Sequence, residues 1–312
     1  MPNSYFDSSG RDDVLSGGVR RIPITTPAGD HSVWTKRVGN NQAVKLLLLH
    51  GGPGATHEYF ECFDSFLPAA GVEYYYYDQL GSFYSDSPDD PSLWEIDRFV
   101  DEVEQVRVAL GLDRSSFFLL GHSWGGVLAA EYALRYQQHL KGLVISNMMM
   151  SIPAYNAYAE RTFIPAMDPS VVAEIKAFEA AGTTSDPRYE KLLHPHYEEH
   201  VLRMPAEQWP DPVNRAFAHL NPSIYIPMQG PSELGASGKL VEWDRTADLG
   251  RITVPTLVIG GAHDTMDPAH MEQVAADLPH GSYLHCANGS HMSMYDDQET
   301  YMAGLVDFLT TT

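Results

Sequence analysis

The segment Gly121-His122-Ser123-Trp124-Gly125 sets a serine between two glycines in the spacing G-x-S-x-G. A serine hydroxyl attacks a carbonyl only when an imidazole takes its proton and a carboxylate orients that imidazole. The chemistry to look for is therefore covalent acyl transfer. An apolar run, Phe117 to Leu120, precedes the motif and a helix-period stretch opens at Gly125, so Ser123 falls on a sharp strand-to-helix turn. Further along, Ala262-His263-Asp264 follows one apolar run and Asn288-Gly289-Ser290-His291 follows another. These supply an acid, Asp264, and a base, His291, in the chain order nucleophile, acid, base. Asp267 is a rival acid, but it directly precedes Pro268, where Asp as helix cap and Pro at the first helical position explain it.

An acyl-transfer intermediate also needs backbone N–H groups aimed at its oxyanion. Trp124 supplies one, immediately after the nucleophile. The loop His50-Gly51-Gly52-Pro53-Gly54 follows the apolar run Lys45 to Leu49 and supplies the other. Pro53 has no N–H, which leaves Gly52 as the donor. A second motif points elsewhere: His196-Tyr197-Glu198-Glu199-His200 fits H-x-x-E-H, the pattern of inverted zinc peptidases. No glutamate-bearing helix is identifiable as a third ligand, and a polar helix face explains Glu198 and Glu199. No metal and no cofactor are expected.

The elements that must hold these residues are legible as alternating runs. Lys45 to Leu49, Val72 to Tyr77, Phe117 to Leu120, Leu143 to Ser146, Pro255 to Gly260 and Ser282 to Cys286 read as buried parallel strands, with Val33 to Val38 an earlier antiparallel one. Leu93 to Leu110 and Gly125 to Gln138 carry helix-period apolar positions. The pattern is a wound, mostly parallel α/β sheet. Between Met148 and Asp244 no strand-like run appears, and Pro169 to Ala181 and Pro187 to Leu202 look helical. The expected division is a core of residues 1–147 and 246–312 with a helical cap over 148–245.

Composition limits the partners. Lys and Arg number 20 against 41 Asp and Glu, a formal charge of −21, which would repel nucleic-acid phosphates and anionic membranes. No stretch approaches the roughly 18–20 apolar residues of a membrane span. The start of the chain lacks the basic residues and apolar run of a secretory signal, and Cys62 and Cys286 are too few for a disulfide framework. A cytoplasmic protein with reduced thiols is expected.

HGGPG at 50–54, YDQLGS at 77–82, GHSWGG at 121–126, GPSE at 230–233 and GAHD at 261–264 together resemble the proline iminopeptidase family of α/β-hydrolases, over nearly the whole chain. The resemblance implies an α/β-hydrolase core with a helical cap, and release of an N-terminal residue from short peptides or amino-acid amides. It also implies that Glu233 grips the free N-terminal amine of such a substrate. Some relatives carry a second glutamate directly after the triad aspartate, where this chain has Thr265. An esterase using the same triad and a catalytically silent ligand-binding protein are the other readings.

Overall fold

The computed structural model describes residues 4–312; the first three residues of the polar N-terminal stretch lie outside it. In chain order the strands and helices are β1 (Val19–Thr26), β2 (Gly29–Val38), β3 (Lys45–Leu49), β4 (Glu73–Asp78), α1 (Ile96–Leu110), β5 (Phe117–His122), α2 (Trp124–Tyr136) and β6 (Gly142–Ser146). There follow α3 (Ile152–Thr162), α4 (Pro169–Ala181), α5 (Pro187–His200), α6 (Asp211–Ala218), α7 (Pro222–Met228), β7 (Thr256–Gly261), α8 (Pro268–Asp277), β8 (Gly281–Cys286), α9 (Ser293–Asp296) and α10 (Gln298–Thr311). The eight strands form one sheet in the order β1-β2-β4-β3-β5-β6-β7-β8. β2 runs antiparallel to β1 and β4, and the pairs from β4 through β8 are parallel.

The continuous apolar runs follow from burial on both faces. Leu47, Tyr75, Phe117 and Leu119 point into one core layer with Val103, Val127 and Tyr132 of the helices. Leu46, Tyr74, Phe118 and Leu120 point into the other with Phe60, Tyr301 and Leu305. Adjacent residues of one strand thus serve opposite layers, as the period of two requires. Sequence reading missed β1, where Arg20, Arg21 and Pro23 interrupt the apolar pattern and only alternate residues, Ile22, Ile24 and Thr26, are buried. β1 is the sheet edge, where a proline removes no essential ladder bond.

Between β6 and β7 the chain leaves the sheet and forms the helical insertion. Its two ends meet: Ser151 bridges Asp244, the Ile152 N–H donates to the Trp243 carbonyl at 2.8 Å, and the Arg245 N–H donates to the Met150 carbonyl at 2.8 Å. A small apolar cluster, Ile175, Tyr189 and Leu193, holds α4 against α5. Among the described residues no helix is long and apolar enough to cross a membrane.

Candidate active site

β5 ends at His122 and α2 begins at Trp124, so Ser123 alone makes the turn, with φ 56° and ψ −127°. A left-handed φ on a residue with a side chain costs on the order of 1–3 kcal/mol and persists only where the surroundings hold it. Here the Ser123 N–H donates to the Ser146 carbonyl at 3.0 Å, and its own carbonyl accepts from Gly126 at 2.7 Å. The motif glycines are steric necessities. A Cβ on Gly121 would stand 1.9 Å from the Gly125 carbonyl oxygen, and one on Gly125 would stand 2.1 Å from that of Leu49.

Asp264 follows β7 and His291 follows β8, and the two meet: His291 Nδ1 donates to Asp264 Oδ1 at 2.8 Å, with both side chains buried. Burial alone would push the imidazole down, but the Asp264 carboxylate outweighs it and His291 is held above its ordinary value of 6.5. Asp264 also accepts from the Met266 N–H at 3.0 Å and from Asn147 Nδ2 at 2.7 Å. Asn147, which sequence reasoning missed, directly follows β6 and also reaches the Ser290 carbonyl at 3.1 Å. Its position just past a parallel strand, where sites on such sheets lie, was the available signal. Asp267 stands apart, capping α8 through the Ala269 N–H at 3.0 Å and pairing with Arg161. Among the described residues Ser123 Oγ carries no hydrogen bond. In free enzymes such contacts are commonly long and tighten on substrate.

Trp124 opens α2, so its N–H is one of those a helix leaves unpaired. Gly52, at φ 106° and followed by a cis Gly52–Pro53 peptide, lies across the same cleft. Gln79 braces the two. Its Oε1 accepts from Trp124 Nε1 at 2.9 Å, its Nε2 donates to the His50 carbonyl at 3.0 Å, and its backbone N–H donates to His50 Nε2 at 3.1 Å. With Nε2 accepting, His50 must carry its proton on Nδ1, which donates to the Gly51 carbonyl at 2.9 Å. Burial pushes this imidazole down to about 4. A second brace runs through His122, whose Nε2 donates to the His291 carbonyl at 2.8 Å. Its Nδ1 lies 3.1 Å from the Tyr59 hydroxyl, which accepts from the Gly51 N–H at 2.7 Å. Burial pushes His122 down to about 3, so it is a neutral strut rather than a proton carrier.

Ser123 lines a narrow cleft. Apolar side chains of Val127, Met148, Ile152, Leu240 and Met266 line it beside polar ones, and Glu233 is the only carboxylate among the described residues lining it. Three tyrosines hold Glu233 in place: Tyr225 donates to its Oε1, Tyr155 donates to its carbonyl at 2.7 Å, and its N–H reaches the Tyr197 hydroxyl at 3.3 Å. Thr265 is turned elsewhere, its Oγ1 3.3 Å from both His291 Nδ1 and Asp264 Oδ1. It touches the Asp264–His291 pair rather than the cleft. The histidines of the H-x-x-E-H motif lie on α5, their rings 5.0 Å apart and both packed on Phe163. Among the described residues no three His, Cys, Asp or Glu side chains are grouped to hold a metal ion.

Residues 45–298 match the family model for the alpha/beta hydrolase fold. The chain is 54% identical over 289 residues to the proline iminopeptidase of Flavobacterium johnsoniae, an alignment covering 92% of this chain and 97% of that one. It belongs to the proline iminopeptidase family of α/β-hydrolases. Among solved structures, the family's Mycobacterium smegmatis proline iminopeptidase superposes with a TM-score of 0.80 at 30% identity, covering 92% of this chain and 97% of that one. VinJ superposes with a TM-score of 0.86 at 29% identity, covering 94% and 98%. As a member of this family the protein is a serine hydrolase.

Proposed function

We propose that the protein is a serine aminopeptidase that releases N-terminal proline, or another small residue, from short peptides and amino-acid amides. The observation that carries this reading is that Glu233 and Ser123 line one narrow cleft. A substrate carbonyl at Ser123 then has its own α-amine within the same closed space, where a carboxylate holds the ammonium by a charge-assisted hydrogen bond. The apolar side chains of Val127, Met148 and Ile152 in the cleft suit a pyrrolidine ring. Ser123 attacks the carbonyl as His291 takes its proton, Asp264 stabilises the resulting imidazolium, and the N–H groups of Gly52 and Trp124 receive the oxyanion. His291 then protonates the leaving amine, and water hydrolyses the acyl-enzyme by the same route in reverse. No cofactor enters. In this reading residues 148–245 are the cap that closes the cleft, and the free thiols Cys62 and Cys286 are consistent with a cytoplasmic setting.

The test is Glu233→Gln, assayed on prolinamide and on a p-nitrophenyl ester that lacks an amine. Loss of a hydrogen bond to a charged group is worth about 1.5–3 kcal/mol, so kcat/KM for prolinamide should fall roughly 10- to 100-fold while the ester is spared. N-acetylprolinamide should be a poor substrate of the parent enzyme. Equal damage to amide and ester, or ready cleavage of the acetylated amide, would replace this reading with an esterase.

A further inference from the structure

The H-x-x-E-H segment, which forms no metal site, has a different part in the structure. Its last residue, His200, ends α5 where the insertion meets the loops that carry the acid and the base. The His200 carbonyl accepts from the His291 N–H at 2.9 Å, and the carbonyl of the next residue, Val201, accepts from the Met292 N–H at 2.9 Å. On its other side, the His200 ring donates through Nδ1 to the carbonyl of His263 at 2.9 Å. His263 immediately precedes Asp264. One residue of the insertion therefore grips both catalytic loops, the base loop through its backbone and the acid loop through its side chain.

We propose that His200 is a positioning residue for catalysis, setting the separation and angle between the Asp264 loop and the His291 loop. The inference rests on the triad assignment made above. The His263 carbonyl points at the ring and its N–H is already committed to the Gly289 carbonyl at 2.9 Å, so the short acid loop is spanned between two hydrogen bonds. Releasing one end lets the Asp264 backbone shift against His291. A misplacement of about 1 Å in a catalytic group costs on the order of 100-fold in rate, even when the change is remote from the chemistry. His200 does not line the cleft that contains Glu233, so substrate affinity should be left nearly intact.

The geometry supplies its own control. Asparagine carries an amide N–H near the place of a histidine Nδ1, whereas glutamine carries it one bond further out, near Nε2. Both substitutions remove the ring that packs on Phe163 at 4.4 Å, and only His200→Asn keeps the bond to His263. Two readouts are measured on the full chain: the rate at which a fluorophosphonate labels Ser123, and kcat and KM for prolinamide. His200→Gln should lower labelling and kcat at least tenfold with KM changed less than about threefold, and His200→Asn should restore both to within about threefold of the parent. Matching thermal midpoints for the two variants would show that their difference is not one of folding. Parent-like labelling in His200→Gln, or equal losses in both variants, would overturn the proposal. A parent protein that the reagent does not label would overturn the triad assignment, and this inference with it.

Discussion

Asp264 and Asp267 carry the same carboxylate three residues apart, and only their surroundings give them different work. Asp264 is buried against His291, Asn147 and the Met266 N–H, while Asp267 caps α8 beside Arg161. Asp264→Asn should lower kcat by about 10⁴-fold, because an amide at that place sets the wrong imidazole tautomer. Asp267→Asn should cost little, since asparagine caps a helix as well as aspartate does. Steady-state kinetics of the two variants decide the matter, and a reversed ranking would move the acid to Asp267. Ser123→Ala should abolish turnover without disturbing the thermal midpoint. The proton balance at His291 is equally specific. Because the pair with Asp264 holds it above 6.5, the neutral base appears only above that pH, and kcat/KM should rise with pH along a limb whose apparent pKa exceeds 6.5. A limb below 6 would contradict the pairing. At this scale the sequence pointed to Ser123, Asp264 and His291 through a fixed order and spacing, and the fold pairs the last two. The sequence was silent on Asn147, because a lone asparagine after a strand has no pattern until the fold brings β7 and β8 beside it.

At the scale of elements, the insertion stands on the core at separate places. One foothold is the end of α5 on the His291 loop. Another is Asn221, which caps α7 through the Ser223 N–H at 3.0 Å while its Nδ2 donates to the Gly81 carbonyl at 2.8 Å and its N–H to the Gly54 carbonyl at 2.8 Å. Asn221→Ala removes the cap and the side-chain bonds to Gly81 and Ser87, and keeps the backbone bond to Gly54. A cap is worth about 1 kcal/mol, so a fall of that order in unfolding free energy is expected. Chemical denaturation measures it. The strands and main helices were legible because their apolar runs are long and buried on both faces. β1 was not, since an edge strand with Arg20, Arg21 and Pro23 has half the signal of a central one. The role of Gln79 was also hidden: its motif stood in the sequence, but a brace from His50 to Trp124 exists only once β3, β4 and α2 are side by side.

For the molecule as a whole, titration pulls in two directions. His50, His122 and His196 are pushed by burial to about 4, 3 and 3, so each stays neutral in the folded chain where the unfolded chain would protonate near 6.5. Their contribution to stability is present above pH 6.5 and is lost as pH falls through the window toward those values, on the order of 1.4 kcal/mol per pH unit for each imidazole. His291 is raised instead, so its share is present below 6.5 and lost above its folded value. The formal charge of −21 acts with the opposite sign to the buried histidines, since acid relieves its self-repulsion. At 1 M salt, with a Debye length of about 3 Å, repulsion is screened and the histidines should dominate. Urea unfolding in 1 M salt should therefore weaken steadily from pH 7 to pH 4.5; a flat profile would mean these imidazoles are not neutral in the folded state. The strut from His122 to the His291 carbonyl has one more consequence, for a chain still on the ribosome. The two residues are 169 positions apart, a gap that synthesis at about 5–20 residues per second crosses in roughly 10–30 s. Throughout that interval Ser123 and the Gly52 loop exist without His291 and the α5 foothold, and Asp264 is added only near its end. On the proposed mechanism, turnover has to wait until β8 and the loop behind it have been made.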